Sequence, residues 1–131
     1  MKKTFKILSI DGGGIKGLYS SKIIEHFEEQ FDCNIGEHFD MICGTSTGGI
    51  LALALSLNIK ASEISNLYIN KGKKIFPKQN KYLALAKQLV LSGKYSDKEL
   101  KKALEETFGD RKIKESNCLL CIPSYSITDA R

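Results

Sequence analysis

A chain of 131 residues with 42% hydrophobic and 27% charged residues fits one small soluble domain. Its formal net charge of +5 permits attraction to an anionic membrane surface or an acidic ligand and establishes neither. Four cysteines are too few and too far apart for a secreted disulfide scaffold, and no run approaches the ~18 apolar residues of a membrane span.

Lys2 and Lys3 open the chain, but the apolar run behind them ends at Asp11, too short for a secretory signal. A cytoplasmic protein is the expectation. Phe5 to Ile10 reads as a strand, closed by Asp11-Gly12-Gly13-Gly14. Ile15, Tyr19, Ile23, Phe27 and Phe31 then recur every four residues, joined by Leu18 and Ile24, which predicts one face of an amphipathic helix. A connection at Asn34 and Gly36 leads to a second strand over Asp40 to Gly44. Ile50 to Leu57 is apolar almost all round and predicts a buried helix. Strand, helix, strand, helix in this order argues for a parallel sheet covered on both faces.

The middle of the chain is helical and more polar. Ser62 is placed to cap a helix carrying Ile64, Leu67 and Tyr68, and Tyr82 to Leu91 has helical spacing with Gly93 at its end. Ser96 and Glu99 form the S-x-x-E box of a further helix bearing Leu100, Ala103, Leu104 and Phe108. Asn117 to Ser126 returns to strand. Within it Cys118 and Cys121 form a lone C-x-x-C with no histidine nearby, read as buried reduced thiols whose side chains at i and i+3 face opposite ways. Three strands are few for a doubly wound sheet, so the sequence reads as a piece of a longer domain or a shortened relative of one.

Two glycine-rich junctions carry the chemistry. Gly44-Thr45-Ser46-Thr47-Gly48-Gly49 places a serine between glycines at i−2 and i+2, where a strand passes into a helix. This is the nucleophile-elbow pattern: small neighbours allow the sharp turn that lifts a hydroxyl above the sheet edge, at the positive end of the next helix. Asp11-Gly12-Gly13-Gly14-Ile15-Lys16-Gly17 also follows a strand and opens a helix. Gly12, Gly14 and Gly17 satisfy G-x-G-x-x-G, but no acidic ribose ligand ends the second strand; Asp32 falls too early. A P-loop fails because Leu18 and Tyr19 follow Gly17. Acyl transfer suits the loop better, since consecutive glycines turn backbone N–H groups toward one point and can hold an oxyanion. In a parallel sheet both junctions lie on one rim.

The two motifs together resemble the patatin-like phospholipase family, through D-G-G-G-x-[RK]-G at Asp11 to Gly17 and G-T-S-T-G-G at Gly44 to Gly49. Looser similarity extends over nearly the whole chain, including Ile75-Phe76-Pro77 and Ile122-Pro123-Ser124-Tyr125. The resemblance implies an α/β fold of three layers, α/β/α, with a mainly parallel sheet, of which residues 1–131 are the N-terminal part of a single domain. It implies a lipid acyl hydrolase with a Ser–Asp dyad and no catalytic histidine, acting on phospholipid or another acyl lipid without metal or cofactor. By the same resemblance Ser46 is the nucleophile and Gly12, Gly13 and Gly14 form the oxyanion loop. Gly44, Thr45, Thr47 and Gly48 then build the elbow, with Lys16 and Gly17 in support.

Two positions depart from the family pattern. Lys16 stands where the family usually has arginine, which keeps the charge and loses the planar fork. The family's catalytic aspartate sits in a D-G-[GA] motif downstream of the elbow, and none follows Ser46: Asp97 precedes Lys98, Asp110 precedes Arg111, Asp129 precedes Ala130. Asp40 opens the second strand, about 15 Å from the serine at ~3.3 Å per residue. Asp11 belongs to the oxyanion loop, and His26 and His38 are expected to be surface or packing residues. The expectation is a hydrolase whose base lies outside this sequence, leaving the chain alone inactive or nearly so. The alternative is a non-catalytic lipid-binding module that keeps the crevice. Lys71, Lys73, Lys74, Lys78 and Lys81 around Phe76 and Tyr82 admit a peripheral membrane patch, but a solvated loop is the preferred reading, and no nucleic-acid module accompanies the charge.

Overall fold

A computed structural model describes residues 4–76 and 97–125. In chain order these form β1 (Ile7–Ile10), a 3-10 turn (Gly14–Lys16), α1 (Gly17–Phe31), β2 (Met41–Gly44), α2 (Thr47–Ser56), α3 (Ala61–Ile75), α4 (Asp97–Phe108) and β3 (Leu119–Cys121). The strands make one parallel sheet in the order β1-β2-β3, with Ile10 beside Gly44 and Cys43 beside Cys121. This is the α/β architecture that the order of elements predicts. The expected helix over Tyr82 to Leu91 and its Gly93 end, Ser96 of the capping box, Lys78, Lys81 and Asp129 lie outside the described residues.

Alternation along each strand sorts the sheet into two faces. Ile10, Ile42 and Gly44 are buried and Leu8 and Leu120 half-buried on the face that meets α2. The opposite face carries Ile7, 55% exposed, Leu119, 57% exposed, and the exposed Cys121. Cover was expected on both faces; the described residues supply it on one. The hydrophobic α2 is the centre of the core: Leu51, Ala52, Ala54 and Leu55 are all but inaccessible. The helix is sandwiched between the strands and the outer helices α1 and α3. No helix among the described residues is long and apolar enough to cross a membrane.

α1 forms as predicted, but of its predicted apolar face only Leu18 and Ile24 turn inward. Ile15, Tyr19, Ile23, Phe27 and Phe31 are exposed, Tyr19 by 74% and Phe31 by 68%. The buried side is Gly17, Ser21, Ile24 and Glu28. The cause is the close packing of α1 on α3, which small and polar groups permit and bulky ones do not. Ser65 Oγ donates to Ser21 Oγ at 3.0 Å, and Ser21 Oγ donates to the Leu18 carbonyl at 3.0 Å. Glu28, 6% exposed, accepts from the Ala61 amide at 2.9 Å and from the Ile35 amide at 3.2 Å. Ala61 is the first residue of α3, so a carboxylate on α1 caps a helix that starts 33 residues later. This replaces the cap expected from Ser62, which lies inside the helix; Lys60 holds the cap position without a side-chain bond.

The cysteine pair separates as its spacing requires, with one departure. Cys118 is half-buried against the core, whereas Cys121 is exposed rather than buried. Burial pushes the Cys118 thiol up, and burial together with the neighbouring Cys121 does the same to Cys43. Both stay protonated thiols at neutral pH. Of the lysine cluster, Lys71 on α3 pairs with Glu106 on α4, while Lys73 and Lys74 point to solvent.

The cap contributed by Glu28 gives a measurable stability term. Glu28→Leu should leave two buried amides without acceptors and lower unfolding free energy by about 2–5 kcal/mol. Glu28→Gln, which keeps one carbonyl oxygen, should cost roughly half as much. Urea unfolding midpoints of the two variants check the order.

Candidate active site

The two glycine-rich junctions meet in space. The β1 strand ends at Ile10 and the β2 strand at Gly44, side by side in register, so both following turns leave from one rim. Beyond them the backbones touch. A Cβ placed on Gly12 would lie 2.5 Å from the Thr45 carbonyl oxygen and 2.9 Å from Ser46 Cβ. A Cβ on Gly48 would collide with the Ile10 carbonyl and lie 2.8 Å from that of Asp11, and one on Gly44 would collide with the Gly48 carbonyl. Hydrogen is the only side chain that fits at these three crossings.

Thr45 laces the junctions together. Its amide donates to the Ile10 carbonyl at 3.3 Å, and its Oγ1 accepts from the Gly12 amide at 3.1 Å. Ser46 follows with φ 53° and ψ −122°, a left-handed backbone conformation that costs a non-glycine residue about 1–3 kcal/mol. The strain is held by the turn that α2 begins: Gly48 N–H donates to the Thr45 carbonyl at 2.9 Å and Gly49 N–H to that of Ser46 at 2.9 Å. Ser46 is exposed, and it occupies the N-cap of the ten-residue α2, where the partial positive charge of the helix end is felt.

Tyr68 of α3 supports the elbow from below. Its hydroxyl donates to the Thr47 carbonyl at 3.2 Å, with the ring only 2% exposed; burial pushes the phenol far above its usual range, so it remains a donor. Thr47 is buried, and its Oγ1 has no partner among the described residues. Gly17 admits this side chain, since a Cβ there would lie 2.9 Å from Thr47 Cβ. Nothing local in the sequence assigns Tyr68 to the elbow, because it sits 21 residues from its acceptor.

The glycine loop divides its donors. Gly12 N–H is committed to Thr45, whereas Gly13 and Gly14 amides have no acceptor among the described residues. Gly14 turns back with φ 58° into the 3-10 turn that carries Ile15 and the exposed Lys16. Two cavities flank this centre. The larger, about 650 Å³, lies along the glycine loop and is lined by Gly12, Ile15, Lys16, Leu18, Tyr19 and Lys22, without Ser46. The smaller, about 420 Å³, includes Ser46 itself. Of these two, the smaller is the one that Ser46 lines.

Among the described residues no carboxylate or imidazole is hydrogen-bonded to the Ser46 hydroxyl. Asp40 is at the far end of the sheet, where it accepts from the Lys6 amide at 2.9 Å. His26 is an exposed α1 residue beside Phe27, and His38 is exposed before β2, as expected. Asp110 lies in the turn after α4.

The family model described as patatin-like phospholipase matches residues 8–122. The chain is 33% identical to a cGAMP-activated phospholipase of Pseudomonas aeruginosa (strain BWHPSA011 / Pa011), over 98% of this chain and 38% of the relative. It is 36% identical to Patatin-like protein 2 of Arabidopsis thaliana, over 92% of this chain and 34% of the relative, and 36% identical to Phospholipase A I of the same plant, over 83% of this chain and 10% of the relative. The chain thus spans little more than a third of the first two relatives.

The crossing sets two expected outcomes. Gly48→Ala should lower stability by about 2–4 kcal/mol, because the added methyl meets backbone that cannot withdraw. Thr45→Val, which keeps shape and removes the acceptor of the exposed Gly12 N–H, should cost less, about 0.5–1.5 kcal/mol. Thermal denaturation of both variants tests the ranking.

Proposed function

The chain belongs to the patatin-like phospholipase family, and on that premise we propose that it supplies the nucleophile and oxyanion loop of a lipid acyl hydrolase cleaving ester bonds of membrane glycerolipids. The observation that carries this reading is an exposed serine at positive φ on a helix N-terminus, in backbone contact with a glycine loop whose next two amides have no acceptor among the described residues.

Ser46 Oγ attacks the acyl carbonyl carbon and passes its proton to a general base. The carbonyl oxygen becomes an oxyanion, stabilised by the Gly13 and Gly14 amides and by the positive end of α2. Collapse breaks the ester bond and returns the proton to the departing alcohol, leaving an acyl-serine. Water, deprotonated by the same base, then releases the fatty acid and restores Ser46. Gly12 serves the loop indirectly, through its bond to Thr45. Gly44, Thr47, Gly48 and Gly17 fix the elbow, and Lys16 stands at the loop as a cation facing the substrate's side.

The base is an aspartate contributed from outside these 131 residues, so the chain alone turns over esters slowly or not at all. Action at a membrane surface from the cytoplasm, through peripheral contact, completes the proposal. The second reading is a non-catalytic lipid-binding module that keeps the crevice.

A fluorophosphonate probe and an ester assay on a longer form of the protein separate the two. The hydrolase reading expects labelling at Ser46 and a loss of roughly 10³- to 10⁶-fold in kcat with Ser46→Ala. Activity that survives Ser46→Ala overturns it.

A further inference from the structure

α2 is buried almost all round, yet one stripe of it is not sealed. Ile50 and Leu53 are only half-buried, while Leu51, Ala52, Ala54 and Leu55 are inaccessible. With Ser46 these positions lie at i, i+4 and i+7, so they follow one face of the helix away from the hydroxyl. At 1.5 Å per residue, Leu53 stands about 10 Å along the axis from Ser46. The stripe is one side of the 420 Å³ groove, which Leu104 and Phe108 of α4 and Ile122 beyond β3 also line. Among the described residues lining the groove, Glu105 is the one that carries a charge, and it is exposed.

An apolar trough that begins at a reactive hydroxyl and runs along two helix faces fits an unbranched hydrocarbon chain better than a head group, which would lose its hydration there with no polar partner in return. We infer that this groove receives the fatty-acyl chain of the ester being cleaved, and that Leu53 on its floor sets the chain length accepted. The inference rests on the acyl-hydrolase reading for its ligand class, and on the groove alone for the residue. The larger cavity along the glycine loop, with Lys16 and Lys22 among its lining residues, is left to the remainder of the lipid.

Binding can be read apart from turnover. Displacement of a fluorescent fatty acid from the protein by a graded series of saturated fatty acids should show affinity rising about fourfold per methylene until the groove is full, then levelling. Leu53→Trp should bring the plateau to chains shorter by about two to four methylenes, and Leu53→Ala should move it the opposite way. Opposite shifts from one position are not produced by a general loss of structure, and the alanine variant decides the matter if the tryptophan variant does not fold. A plateau that stays in place in the alanine variant, or an affinity independent of chain length, overturns the inference. Graded binding without ester hydrolysis by the longer form supports the groove and sinks the hydrolase reading; hydrolysis with an unmoved plateau does the reverse.

Discussion

Everything at the functional end of this protein depends on two stretches of main chain crossing at contact distance. The carbonyls of Ile10 and Asp11 press on Gly48, and Gly12 presses on Thr45 and Ser46. Two hydrogen bonds from one threonine close the crossing, one given by its amide and one taken by its hydroxyl. The parallel register of β1 and β2 aims both strands at that point, and the first turn of α2 holds Ser46 in a conformation it would not adopt alone. Remove the hydrogen side chain at Gly12, Gly44 or Gly48 and the turns must separate.

The interior supports that crossing by two different means. Near the sheet, α2 contributes conventional apolar packing. Between α1 and α3 the contacts are short and polar: a serine pair, and a carboxylate shared between two amides. The Tyr68 hydroxyl carries α3 into the elbow itself. The outer helix layer therefore does more than exclude water, since it fixes the carbonyl one residue beyond Ser46.

How much of this the sequence discloses follows from the range of each interaction. The succession of strands and helices, α2 and both glycine motifs are local patterns, and each is legible within a few residues. The family resemblance at Asp11 to Gly17 and Gly44 to Gly49 is of the same kind, and the match over residues 8–122 agrees with it. The orientation of α1 is legible only in part: the predicted face holds Leu18 and Ile24, which pack inward, but its Ile15, Tyr19, Ile23, Phe27 and Phe31 are exposed while Gly17, Ser21 and Glu28 are buried. Polar residues hide their burial when their partners are distant in the chain. Glu28 meets Ala61, Ser21 meets Ser65 and Tyr68 meets Thr47, and no window of sequence holds any of these pairs. The same distance conceals the commitment of Gly12 to Thr45, which leaves Gly13 and Gly14 as the loop amides without an acceptor among the described residues.

Ser46 also illustrates a division of labour between backbone and side chain. Its φ and ψ are set by neighbours on both sides, so the Cα–Cβ direction is fixed by the main chain. A single torsion, χ1, is left to bring the oxygen to bear, and staggering restricts that torsion to three wells. The entropy of arranging this group was surrendered when the chain folded, which leaves the position of the hydroxyl oxygen open to one rotation alone.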